Sequence, residues 1–171
     1  MSAIDDKYAH LGGPGGFLGR PADAGAGSAE MDTADHRGRC RDFERGSIYW
    51  SPATAAHEVH GDIRVKWARL GGERGFLGFP ITDETGTPNG RGRFNHFEHG
   101  SIYWTPTTGA HEVHGAIRDK WASLGWERSR LGFPISDERT PPDGHGRFSD
   151  FEGGTIVWTP EGGAVVKVRI D

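Results

Sequence analysis

Apolar positions recur in this chain at two periods, and the two alternate in a fixed order. From Gly115 to Gly125, Ile117, Trp121 and Leu124 stand at i, i+4 and i+7, while Arg118 and Lys120 fall away from that face. This spacing predicts a short amphipathic helix. Gly125 occupies the place where such a helix ends in left-handed geometry. A helix of two to three turns is too short to be stable alone and must dock its apolar face. A period of two appears in Gly92-Arg93-Phe94-Asn95-His96-Phe97-Glu98 and in Ser101-Ile102-Tyr103-Trp104-Thr105. These runs predict a hairpin, with His99-Gly100 as a tight turn because an X-Gly pair supplies positive φ. Alternation puts Ile102 and Trp104 on one face, with Phe97 as core, and Tyr103 on the other. Pro106 stops the second strand, and Ala110 to His114 can add a third.

The whole pattern repeats. Ile63 and Ile117, Pro80 and Pro134, Phe97 and Phe151, and Trp104 and Trp158 are each 54 positions apart. A fixed period of this size marks a modular fold. Phe43 and Trp50 keep the spacing to Phe97 and Trp104, but Ile4 and Ile63 are 59 apart. The first copy therefore holds five extra residues within Ala22 to Gly38, a Gly-, Ala- and Asp-rich stretch that reads as a longer surface loop. The expected fold is α+β, a single domain over residues 1–171 with units at 4–62, 63–116 and 117–171. Each unit is a short helix, a Gly-rich loop and a hairpin with room for a third strand. The sequence opens on a helix and stops on a strand that runs from Ala164 to Ile170, which fits a closed, pseudo-threefold ring better than a solenoid with capping units.

Composition narrows the field. Lys and Arg number 20 against 24 Asp and Glu, which disfavours a nucleic-acid surface. No apolar run reaches membrane-spanning length. The first residues, Met1 to Lys7, lack the basic and apolar regions of a secretory leader, which leaves retention in the cell or a leader absent from this stretch. Cys40 is the single cysteine, so no intrachain disulfide forms, and it stands in the place of Phe94 and Phe148, a small buried apolar role.

Four sets of residues carry candidate chemistry. Tyr49 and Tyr103 lie on the returning strand, opposite in direction to the core, and suit stacking on a sugar ring; the third unit has Val157 there. Asp83-Glu84 and Asp137-Glu138 follow the Phe-Pro bend at one offset and read as hydroxyl acceptors or as cap residues; the first unit keeps only Asp23, shifted. Carboxylates repeated by symmetry look more like repeated binding or structure than like an acid–base pair for glycoside hydrolysis. His57-Glu58-Val59-His60 and His111-Glu112-Val113-His114 invite a metal reading, but i and i+3 on a strand point to opposite faces. A surface or hydrogen-bonding role for His57 and His111 is the better expectation, with no metal or cofactor.

The bends themselves are the strongest local signal. Leu77-Gly78-Phe79-Pro80 and Leu131-Gly132-Phe133-Pro134 allow a tight path in which Leu and Phe both turn inward, a staple of helix on hairpin. Together with Gly100-Ser101-Ile102-Tyr103-Trp104 and Gly115 through Trp121, they resemble the LGFP repeat over nearly the whole chain. The first copy is degenerate, with Arg20 for Phe79. The resemblance implies a non-catalytic, actinobacterial-type module of the cell envelope or exterior. Its implied ligand is cell-wall polysaccharide or another glycan, bound multivalently, and its implied arrangement is ring-like. The alternative is a structural or protein-interaction scaffold. The candidate ligand-binding residues are Tyr49, Tyr103, Asp83, Glu84, Asp137, Glu138, His57 and His111.

Overall fold

Short helices alternate with small antiparallel sheets in a computed structural model that describes residues 1–22 and 30–169. The helices are α1 (Ala3–His10), α2 (Gly61–Arg69) and α3 (Gly115–Leu124), followed by 3₁₀ turns at Gly13–Gly15, Gly72–Arg74 and Trp126–Arg128. Strands β1 (Met31–Asp32), β2 (Arg39–Phe43), β3 (Gly46–Ser51) and β4 (Ala55–His60) form the first sheet in that order. The second holds β5 (Thr85–Gly86), β6 (Arg93–Phe97), β7 (Gly100–Thr105) and β8 (Gly109–His114), again in order. In the third, β10 (Gly154–Thr159) lies between β9 (Arg147–Phe151) and β11 (Gly163–Val168). The third strand of each repeat is thus present. The closed ring is not supported: among the described residues strands pair only with sequence neighbours, so no sheet there closes and each keeps two edges. The extra residues of the first repeat, including Asp23, and Ile170 lie outside the described residues.

The described residues fall into two compact bodies, Met1–Thr85 with Asn95–Glu98, and Gly86–Phe94 with the residues from His99 onward. In the first, Ser2 caps α1 through a reciprocal capping box with Asp5. Ile4, Leu18, Phe43, Ile48 and Ala56 form the core beneath it, and Tyr8 stacks on Phe43 at 4.3 Å. Trp67 of α2 meets Tyr49 edge-on at 4.7 Å and stacks on Phe97 at 5.6 Å.

In the second body, α3 packs against β7, β8, β10 and β11. Its Trp121, fully buried, meets Tyr103 edge-on at 4.7 Å and Phe151 at 5.3 Å. Docking is carried by Ile117 and Trp121; Leu124, the last residue of the helix, is 40% exposed. Strand β7 is buried on both faces, which puts Tyr103 as well as Ile102 in the interior. No described helix is long and apolar enough to cross a membrane.

The hairpin turns differ by one residue from the expected X-Gly pairs: one strand ends at Phe97 and the next starts at Gly100, so the turn expected at His99-Gly100 is Glu98-His99. Phe43 pairs with Gly46 and Phe151 with Gly154, so the turns are Glu44-Arg45 and Glu152-Gly153, with no positive φ in either. Gly46 is the first strand residue and is needed for close approach: a Cβ there would sit 2.6 Å from Leu18 Cδ2 and 2.7 Å from the Val59 carbonyl oxygen.

Candidate functional site

Each Leu-Gly-Phe-Pro bend is held from three directions. Leu77, Leu131, Phe79 and Phe133 all point into the core with 1% exposure or less. The glycine between them takes a left-handed φ, +75° at Gly78, and faces a glutamate of the hairpin turn so closely that a Cβ would lie 2.6 Å from Glu98 Oε1. That oxygen accepts from the Phe79 backbone N–H at 2.9 Å, and Glu152 does the same for Phe133 at 3.0 Å and Glu44 for Arg20 at 2.7 Å. From the helix, the Trp67 indole donates to the Gly78 carbonyl at 3.0 Å and Trp121 to that of Gly132 at 3.2 Å. Tyr8 gives the first repeat its equivalent, a hydroxyl donating to Gly19 at 2.6 Å. Outside, Arg37 lies 5.0 Å over the Phe79 ring and pairs with Glu98 at 2.8 Å; Arg91 lies 5.1 Å over Phe133 and pairs with Glu152 at 2.8 Å. The Arg91 guanidinium holds the Glu152 carboxyl below its usual range. Sequence reasoning passed over these glutamates and arginines. Their signal was present, because Phe-Glu recurs at 43–44, 97–98 and 151–152, and Arg at 37 and 91.

The Asp-Glu pairs and the histidines meet as one latch. In the first body, His57 Nδ1 lies 3.1 Å from Asp83 Oδ1, and its Nε2 lies 2.8 Å from the Thr54 carbonyl. Asp83 also accepts from the Glu58 N–H at 3.2 Å and from Lys7 Nζ at 2.8 Å. Burial alone would raise the Asp83 carboxyl, but these donors outweigh it and hold it down at about 2. Glu58, 1% exposed, accepts from the Glu84 N–H at 2.8 Å through one oxygen and meets His60 Nδ1 at 2.6 Å through the other. His60 Nε2 then reaches Glu84 Oε2 at 2.7 Å. Burial opposes the charge on His60, yet the two carboxylates win and raise it to about 9.

Asn95, fully buried, donates across the same seam to the carbonyls of Glu58 and Thr82 at 3.2 and 2.9 Å. The second body repeats the latch. His111 meets Asp137 at 3.3 Å, Glu112 accepts from the Glu138 N–H at 2.8 Å, and His114 bridges Glu112 and Glu138 at 2.6 and 3.0 Å. Bonds to those two carboxylates, against burial, raise His114 to about 9. Arg147 adds a 3.1 Å bond to Glu138.

These contacts bear on the chemistry of the acids, the histidines and the cysteine. A carboxyl held near 2 is a poor general acid, and the Glu138 carboxyl is likewise lowered by its partners, chiefly His114, against burial. His57 and His60 serve different partners, and among the described residues no three His, Cys, Asp or Glu side chains are grouped to hold a metal ion. In the first repeat the place of Glu84 falls to Glu30, which takes 2.6 Å and 3.0 Å bonds from Ser2 and Arg39. Cys40 is 7% exposed, and burial pushes its thiol up to about 11, so it stays protonated and unreactive at neutral pH.

The tyrosines divide. Tyr103, at 3% exposure, stacks with Phe94 at 5.0 Å and lies within the core. Tyr49 is half-buried and lines an open cleft. Burial raises both phenols well above their usual range. The aromatics most exposed to solvent are in the bends instead: Phe17 at 42% and Phe76 at 46%, in equivalent places of two repeats.

The matched family model accounts for this architecture. It describes the LGFP repeat and matches residues 27–75, 77–129 and 131–169, running from one bend toward the next. No curated protein matches the chain. With most of its length covered by three successive matches, and with each bend stapled by a helix aromatic and a turn glutamate, the chain belongs to the LGFP-repeat family.

Proposed function

We propose that this chain is a non-catalytic module that binds a glycan, of the cell-wall polysaccharide class, outside the cell or in its envelope. The observation that carries the reading is the pair Phe17 and Phe76, large apolar rings 42% and 46% exposed at the same point of two Gly-rich bends. An exposed aromatic ring is a stacking platform for a sugar. Weak sites repeated along one polymer gain by multivalency. Of the residues singled out by sequence, Tyr49 keeps an open face for a ligand, while His57, His111 and the Asp-Glu pairs at 83–84 and 137–138 act behind the surface as latches. Membership in the LGFP-repeat family supports a binding role over catalysis.

The test is co-sedimentation of the folded protein with purified arabinogalactan and peptidoglycan, beside a glycan array. Binding should fall at least about tenfold in the Phe17→Ala, Phe76→Ala double variant, since stacking residues dominate such interfaces. The second reading is a protein-interaction scaffold. It is favoured by the latches, which spend the repeated acids and histidines on internal bonds. A folded sample that binds no glycan moves the reading there.

A further inference from the structure

One partly buried position carries an aromatic ring in the second body and a glycine in the first. Trp126, at the start of its 3₁₀ turn, lays its indole against Tyr103 at 6.1 Å and 22°, and against Trp121 edge-on at 5.3 Å. The Arg118 guanidinium lies 5.0 Å over the indole, held in place by its 2.8 Å bond to Ser101 Oγ. In the first body the same frame is built from Tyr49, Trp67 and Arg64. Tyr49 and Trp67 meet edge-on at 4.7 Å, as Tyr103 and Trp121 do, and Arg64 donates to Ser47 Oγ at 2.8 Å. The residue in the place of Trp126 is Gly72. Its backbone matches, φ +60° against +58°, and no atom lies within 4 Å of a Cβ built there. In place of the indole is a cleft of about 260 Å³, lined by Tyr49, Arg64, Trp67, Gly72, Glu73 and Arg74.

We infer that this cleft is a binding site for a planar aromatic ring of about indole size, which the second body fills with its own Trp126. Several observations converge. The cleft, of about 260 Å³, stands where the second frame seats an indole. The walls are two aromatic rings at the angles that seat an indole in the homologous frame. Arg64 is anchored where a guanidinium covers a ring face, a contact that favours a π-system over a saturated ring. A tryptophan at φ +58° is strained for a side chain of its bulk, so filling the second frame is worth that strain. This inference does not rest on the glycan reading, since the ring it calls for is aromatic.

The probe is indole, titrated into the whole chain by calorimetry and by saturation-transfer NMR. One site with a Kd on the order of 0.1–1 mM is expected for a ligand of this size. Gly72→Trp should weaken indole binding at least about tenfold by supplying the ring internally, with Gly72→Phe as a second filling variant. Trp126→Gly should open a second site and double the stoichiometry. N-acetyl-tryptophanamide separates the sources of the ring: binding equal to indole points to a tryptophan of a partner protein, and binding of indole alone to a free small molecule. The inference is overturned if the folded wild type takes no indole at 10 mM, if it takes methyl glucoside in preference to indole, or if Gly72→Trp and Gly72→Phe both bind indole undiminished.

Discussion

The last strands of the three sheets invite comparison. Strands β4 and β8 carry His-Glu-Val-His and are each latched by the Asp-Glu pair that follows a bend. Strand β11 carries Val165-Val166-Lys167-Val168 at the same positions, and among the described residues no such pair faces it. Its Val165 and Val168 are 48% and 39% exposed. Edge strands leave unpaired N–H groups, and the Asp of each latch accepts one, from Glu58 in β4 and from Glu112 in β8. Histidines and glutamates thus stand on the two strands that a described Asp-Glu pair meets, and valines stand at the same positions of β11. The His-x-x-His spacing on these strands goes with hydrogen bonds to the Asp-Glu pair of a bend.

The largest test of this contrast removes the latch carboxylates. Glu58 and Glu112 are 1% and 2% exposed, and each is tied to a histidine and a backbone N–H. Truncating either leaves a cationic imidazole half-buried beside one remaining carboxylate. Glu58→Ala and Glu112→Ala should each cost about 3 kcal/mol in urea unfolding. A cost below about 0.5 kcal/mol would show that the latch is incidental.

Next in size is a pH dependence with a defined sign. His60 and His114 are raised from 6.5 to about 9, so the folded protein holds these protons more tightly than the unfolded chain. Their contribution is complete below about pH 6.5, declines between 6.5 and 9, and is gone above 9. The upper limit is roughly 3 kcal/mol per latch, reduced by residual exposure. Asp83 acts at the other end: lowered to about 2, it stabilises above pH 4 and loses that effect as pH falls toward 2. Denaturant midpoints from pH 6 to 10 should fall in the wild type and flatten in the His60→Gln, His114→Gln variant. An equal decline in both would assign the effect to other groups.

The staple of the bend offers a smaller and more local test. Trp121→Phe keeps the buried ring but removes the indole bond to the Gly132 carbonyl. It should cost about 1 kcal/mol from the lost bond, plus a little for lost volume. Tyr8→Phe should cost a similar amount in the first repeat, where a phenol does the same job at 2.6 Å. If Trp121→Phe is costly and Tyr8→Phe is neutral, the two aromatics are not functional equivalents.

Periodicity carried the repeat, the helices and the three-stranded hairpins, because those depend on local apolar spacing. It also carried the inward Leu and Phe of the bends. It did not carry the sidedness of Tyr103: alternation assigns a residue to a face but does not say that both faces are covered. Leu124 fits the helical stripe and is nevertheless exposed, since the stripe gives direction and not the extent of the partner surface. The latches were legible only as residue types. Asp83 and His57 are 26 positions apart, and no local rule joins a strand to a bend across that distance. Glu98 was hidden in plain view, because a glutamate in a hairpin turn reads as solvated until its carboxylate is found on the Phe79 N–H.

The smallest expected effect returns to β11. If histidine on these strands reflects a preference of the strand itself, then Val165→His should stabilise the third sheet by as much as His111→Val destabilises the second. The latch account predicts asymmetry. His111→Val removes a contact to Asp137 at 3.3 Å and one to the Thr108 carbonyl at 2.7 Å, and should cost about 1–2 kcal/mol. Val165 is 48% exposed, so Val165→His should change stability by no more than about 0.5 kcal/mol. Paired urea titrations of the two variants decide it, and a matched gain in Val165→His would return the His-x-x-His pattern to intrinsic strand chemistry.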